Sequence, residues 1–277
     1  LKKKRVLVIL GGRSKERDVS IDTGMSCIKA LKQLKYKVIK FDPKFSSITE
    51  IPKKGIDVIF NALHGKGGED GSIQSFFEYL GIPYTHSGPL ASMLAMNKYF
   101  SKQLFIKHKI NTPKFFYLNK TAYSSTNIKK EIKKNKLKFP IVIKPNDEGS
   151  SIGVKICKNF VSLNNSFNKL KKKYHDLIFE NYIPGKEIQV ANIGNKAIGA
   201  IELRPKRKFY DYKAKYKKSS KTEHVMPAEV TSGNYNSALR ISKKAYKILK
   251  CKGIARCDFR FYKNKFRSEE RFSRNAE

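Results

Sequence analysis

The run RVLVIL at residues 5–10 stops at Gly11–Gly12, and DVIFNAL at 57–63 gives way to HGKGGEDGS at 64–72. Each is an apolar stretch of strand length that ends in a polar, glycine-rich loop. Each loop then leads into helical apolar spacing, VSIDTGMSCIKALKQL after the first and SIQSFFEYLG, closed by Gly81, after the second. With YKVIKF at 36–41 as a further strand, this order predicts an open α/β sheet. Ligand-binding loops in such sheets follow the carboxyl ends of strands, which singles out GGRSKERD (11–18) and HGKGGEDGS.

Further along, NKYFSKQLFIKHK (97–109) predicts a helix, PIVIKP and GVKIC two strands, FNKLKKKY (167–174) a helix and LIFENYI (177–183) a strand. EIQVANIGNKAIGAIEL reads as a hairpin turning at Gly194–Asn195, a glycine-first pair suited to a type II′ turn. Between the strands PIVIKP and GVKIC lies NDEGSS. Its glycine lets backbone N–H groups approach a phosphate closely, its serines add donors, and Lys144 at the strand end adds a fixed cation. That is the chemistry of a nucleotide lid, although the G-x-x-x-x-G-K-[ST] phosphate loop is absent.

A chain of 277 residues, 40% hydrophobic, can bury a substantial core. The first apolar run is too short for a signal sequence or a membrane span, so a cytoplasmic protein without a membrane partner is expected. Four cysteines with no C-x-x-C pair, and five scattered histidines, signal neither a disulfide framework nor a zinc site. The formal charge of +36 could mean a nucleic-acid partner. The lysines, however, are spread over every helix and many loops rather than gathered in one stripe with stacking aromatics. The expectation is a solvated lysine-rich surface with no specific nucleic acid and only weak, salt-sensitive affinity for polyanions.

GGRSKERDVS, ALHGKGGEDGSIQ, GIPYTHSG, LAMNKYFSK, IKPNDEGSSIGV, FYDYKAKY and CKGIARCDF follow one another in order. Together they resemble the D-alanine–D-alanine ligases of the ATP-grasp superfamily, over roughly residues 5 to 266. The resemblance implies an N-terminal open parallel sheet domain (1–96) followed by an ATP-grasp fold in two α+β subdomains (97–180 and 181–266). It also implies two D-alanines joined at the expense of ATP, with Mg2+ or Mn2+, through an acyl phosphate, for peptidoglycan precursors, by a homodimer. Lys98 and Lys144 match the phosphate-facing lysines, and Ser150 and Ser151 lie in the loop over the triphosphate. Glu180 and the backbone near Ile183 would hold adenine, and Glu187 the ribose. Glu16 would pair with the ammonium of the first D-alanine, with His64 beside it. Lys215 would reach phosphate, and Tyr216 would join Ser150 and Glu16 in a hydrogen-bonded trio that favours an amine as second substrate. Arg256 would stabilise charge on the tetrahedral intermediate and Asp258 would bind magnesium.

After Phe266 the style breaks. RSEERFSRNAE has three arginines and no lysine, and no alternating apolar pattern to continue a hairpin. It also lacks the acid-x-Asn pair of the family, so residues 267–277 are expected to be non-native, the last part of the fold incomplete and the chain as written inactive. Two other readings stand beside ligation of D-alanine: another ATP-grasp carboxylate–amine ligase, or a basic nucleic-acid-binding protein.

Overall fold

The computed structural model describes residues 4–52, 55–205 and 222–273. They gather into two compact units, Leu1–Met93 with Lys250–Ala255, and Leu94–Leu249 with Arg256–Phe272.

In the first unit β1 (Arg5–Ile9) lies between β2 (Lys37–Phe41) and β3 (Val58–Asn61), all parallel, as the alternation of strands and helices predicts. Alternate residues of β1 enter opposite layers. Leu7 and Ile9 pack with Phe41, Ile59 and Phe77, whereas Val6 and Val8 pack with Leu10, Ile28 and Ala62. The first layer is closed by α2 (Ser72–Leu80) and the second by α1 (Arg17–Gln33). Gly81 ends α2 in the left-handed conformation, at φ +64°, where its N–H caps the carbonyl of Glu78. The strand carboxyl ends deliver the two glycine loops side by side. Ser14 Oγ donates to the His64 carbonyl at 2.7 Å, and Ser20 Oγ donates to that of Ala62 at 2.8 Å.

α3 (Pro89–Met96) spans the boundary between the units, and the second unit contains α4 (Lys98–Lys107) and two antiparallel sheets. The four-stranded sheet runs β4 (Phe115–Asn119), β7 (Asp176–Asn181), β5 (Ile141–Pro145), β6 (Lys155–Cys157). Its two faces are unlike. Ile141, Ile143, Leu177, Phe179, Phe116 and Leu118 point into a core with Leu163 and Phe167, where the Phe116 and Phe179 rings stack 4.6 Å apart. α5 (Ser125–Lys134) adds Ile128 to the same core. The helix expected over 167–174 is α6 (Phe160–Leu170) instead. Asn159 and Ser162 form a capping box that starts it a turn and more earlier, and the apolar spacing Leu163, Phe167, Leu170 stops where the lysine run begins.

The five-stranded sheet runs β10 (Glu223–Val225), β9 (Lys196–Arg204), β8 (Lys186–Ile193), β11 (Ile254–Tyr262), β12 (Lys265–Ser273), packed by α7 (Ser232–Ile248). Gly194 turns the β8–β9 hairpin at φ +54° while Asn195 stays out of the left-handed region, as a type II′ turn requires. Lys263 and Asn264, at φ +49° and +55°, turn β11 into β12. β12 runs past Phe266 as far as Ser273. Strand pairing is made by backbone groups, and the Ser268 N–H also bonds to the Asn111 carbonyl at 2.9 Å, so the apolar alternation is not needed to continue the ladder.

Candidate active site

On the glycine-loop side of the first unit, Glu16 occupies the N-cap position of α1, yet its side chain makes no capping hydrogen bond. It is 1% exposed, so neither solvation nor the helix dipole alone accounts for it. His64 Nδ1 lies 4.0 Å from Glu16 Oε2, and His64 Nε2 lies 3.1 Å from the Thr23 hydroxyl on α1. Thr23 was not legible as a partner because its strand-end neighbour is 41 residues away in sequence. The loop at 64–72 is knit by its own acids. Glu69 accepts the Gly65 N–H at 2.8 Å and Asp70 that of Gly67 at 2.7 Å. A cavity of about 290 Å³ opens between the loops, lined by Gly12, Ser14, Pro43, Leu63, His64 and Lys66 among others. Arg17 forks onto Asp42 at 2.7 and 3.1 Å and donates to the Gly12 carbonyl, fixing the cavity rim. Burial works to raise the Asp42 carboxyl, but the hydrogen bonds from Arg17 and from the N–H groups of Lys44 and Gly12 outweigh it and hold it below the ordinary carboxylate range.

In the second unit the other face of the four-stranded sheet sets charged groups among apolar and aromatic ones. Lys144 on β5 sits opposite Ile178, so Glu180 on β7 is its diagonal neighbour on the same face. Lys144 Nζ lies 2.5 Å from Glu180 Oε1, and both side chains are about as buried as core leucines. Phe115, opposite Glu180, and Tyr117 share that face, and the Tyr117 ring lies 4.7 Å from Tyr99. Burial and the hydrogen bond to Asp176 push the Tyr117 hydroxyl well above the ordinary phenol range. A second lysine, Lys102 on α4, reaches Glu180 Oε2 at 2.7 Å. No spacing signal marked it, because the chain is rich in lysine throughout.

Lys98, first residue of α4, donates to the carbonyls of Asn146 at 3.3 Å and Glu148 at 2.5 Å, so it rests on the NDEGSS loop itself. Ser150 and Ser151 there take φ +46° and +58°. Two successive left-handed serines cost roughly 1–3 kcal/mol each, and such strain persists where the surroundings impose it. Ile183 is half-buried in the link from β7 to β8. Gly185 in that link is required, because at φ +107° a Cβ would run into the Phe261 carbonyl. Glu187 lies 3.0 Å from Arg260 Nη2. Arg256 and Asp258 share one face of β11, with Arg256 Nε 2.9 Å and Nη2 3.3 Å from the two Asp258 oxygens, and both residues are buried rather than a surface pair. Lys215 and Tyr216 lie outside the described residues, and with them the expected trio.

Among the described residues no group of three or more His, Cys, Asp or Glu could hold a metal ion. Among the described side chains Asp258 contributes one buried carboxylate, engaged by Arg256. One carboxylate joined by substrate phosphates is nevertheless a common magnesium arrangement, and Asp258 fits that role. No helix among the described residues is long and apolar enough to cross a membrane.

The models of the D-ala D-ala ligase N-terminus and C-terminus match residues 40–87 and 104–270. The chain belongs to the D-alanine–D-alanine ligase family. A D-alanine--D-alanine ligase from Pelagibacter ubique is 49% identical over 263 residues, 95% of this chain and 85% of that protein. The crystal structure of the Bacillus anthracis D-alanine--D-alanine ligase superposes with a TM-score of 0.85 at 34% identity, over 98% of this chain and 86% of that one. The same Bacillus anthracis enzyme complexed with ATP gives a TM-score of 0.83 at 30% identity, with the same coverage. The mixed fold of one parallel and two antiparallel sheets is therefore that of the family's ATP-grasp members.

Proposed function

We propose that the protein joins two D-alanines to D-alanyl-D-alanine in the cytoplasm, at the expense of ATP, for peptidoglycan precursors. The observation that carries this reading is the buried set Lys144–Glu180 on that sheet face beside a strained, serine-bearing loop. Family membership and the ATP-bound relative support it. A carboxylate oxygen of the first D-alanine attacks the γ-phosphorus, the bond to the β-phosphate oxygen breaks, and ADP leaves. The amine of the second D-alanine then attacks the acyl carbon, loses a proton, and expels phosphate.

Lys98, Lys144 and Lys215 bind phosphate, with Ser150 and Ser151 in the loop that covers it. Glu180 and the backbone near Ile183 take adenine, and Glu187 takes the ribose. Glu16 receives the first ammonium with His64 beside it, and Tyr216 favours an amine as second substrate. Arg256 stabilises charge on the tetrahedral intermediate. Asp258 would hold magnesium or manganese, which would supply charge neutralisation at the phosphates. The exposed Tyr79, Leu90 and Met93 on α2 and α3 support a homodimer, and a monomeric mass by light scattering would count against it.

ADP release by the full-length protein with D-alanine and then with L-alanine tests the reading. Release with D-alanine alone is expected, and equal turnover with the two enantiomers would overturn the substrate assignment.

A further inference from the structure

We propose that Lys102 is a positioning residue of the nucleotide site, which keeps Glu180 counter-charged so that Lys144 can leave it for a phosphate. The inference rests on the reading above that this sheet face binds ATP.

Lys102 is fully buried, at 0% exposure. Lysines are almost never placed so unless paired. Three groups fix its ammonium: Glu180 Oε2 at 2.7 Å, the Thr112 hydroxyl at 2.8 Å and the Phe115 ring with its centroid 4.8 Å away. Glu180 therefore gives one oxygen to Lys102 and the other to Lys144. The two lysines are not equivalent. Lys102 is wedged between α4 and β4, whereas Lys144 sits one residue before the end of β5, where the NDEGSS loop begins.

Were Lys144 the sole partner of Glu180, drawing it onto a phosphate would leave a buried carboxylate without a counter-charge, which is strongly unfavourable. With Lys102 in place the carboxylate keeps one ammonium throughout. Lys144 moves at lower cost, and the Glu180 oxygen it vacates stays oriented as an acceptor for an amino group on the base.

The test is a calorimetric titration of ATP into wild-type and variant proteins, with steady-state kinetics beside it. Lys102→Met keeps the length of the side chain and removes its charge. It should raise the Kd for ATP roughly 10- to 100-fold, the scale of one hydrogen bond to a charged group, and leave the KM for D-alanine within about twofold. Lys102→Met combined with Glu180→Gln should bind ATP no more weakly than Glu180→Gln alone, because the removed charge then has nothing to balance. An unchanged Kd in Lys102→Met beside a lowered melting temperature would make Lys102 purely structural and overturn the proposal. If Lys102→Met does not fold, the comparison with Glu180→Gln decides, since the double variant leaves no unpaired charge: weaker binding in the double variant overturns it. Wild-type protein that binds no ATP would sink the reading of the sheet face itself, and this inference with it.

Discussion

Lys144 is buried against Glu180 rather than solvated, although it belongs to a chain in which 59 residues are lysine or arginine. A cation held in a dry site is worth far more to a developing charge than one in water. Lys144→Ala should therefore lower kcat by roughly 10² to 10³, the scale for losing one preorganised stabiliser, and a change under about threefold in the ADP-release assay would remove it from the chemistry. Asp42 shows the same balance in a structural role. Its carboxyl titrates below its ordinary value of 3.8 because Arg17 and two backbone N–H groups outweigh the effect of burial. A carboxyl depressed in the folded state contributes stability that is fully present above its unfolded value and is lost as pH falls through its folded value. Asp42→Asn should accordingly weaken the protein at neutral pH and flatten the part of its acid sensitivity below about pH 5, measured by urea unfolding as a function of pH.

Four helices end on the same unusual choice. Lys35, Lys109, Lys136 and Lys250 follow the C-termini of α1, α4, α5 and α7, and all take φ between +52° and +60°, where glycine is the usual residue. All four are exposed. A left-handed non-glycine residue costs about 1–2 kcal/mol, of which glycine gives back part through its freer unfolded state. Replacing each by glycine should stabilise the protein by roughly 0.5–1 kcal/mol, additively, since the sites are separate in sequence and share no partners. Unchanged urea midpoints in the fourfold variant would contradict this. These ends also mark what the sequence conceals. α2 was legible because Gly81 closes it, while α5 and α7 are followed by a left-handed lysine instead and carry no such stop. β4, FFYLN, has one face on the core and the other on the ligand side, so both faces are apolar or aromatic and its alternation is hidden.

Across the molecule, the parallel sheet and the strands around the NDEGSS loop were readable because each joins an apolar run to a polar glycine loop. Of the described residues named from motifs, Glu16, His64, Lys144, Ser150, Ser151 and Ile183 fall on loops or near strand ends, whereas Lys98 opens α4 and Asp258 sits in the middle of β11. The side chains that support them were not readable. Thr23 behind His64 and Lys102 behind Glu180 are tied to their partners by folding rather than by spacing, and nothing in a lysine-rich chain distinguishes Lys102, which is wholly buried. The charge of +36 likewise reports on the surface, and the buried cations that matter here are a small part of it. Activation of a D-alanine carboxylate by ATP as an acyl phosphate leaves an isotopic trace. D-alanine labelled with oxygen-18 in its carboxylate is turned over with ATP by the full-length protein, and the released phosphate is analysed by mass spectrometry. One labelled oxygen is expected in each phosphate that accompanies a dipeptide; dipeptide formed with unlabelled phosphate would rule out an acyl phosphate.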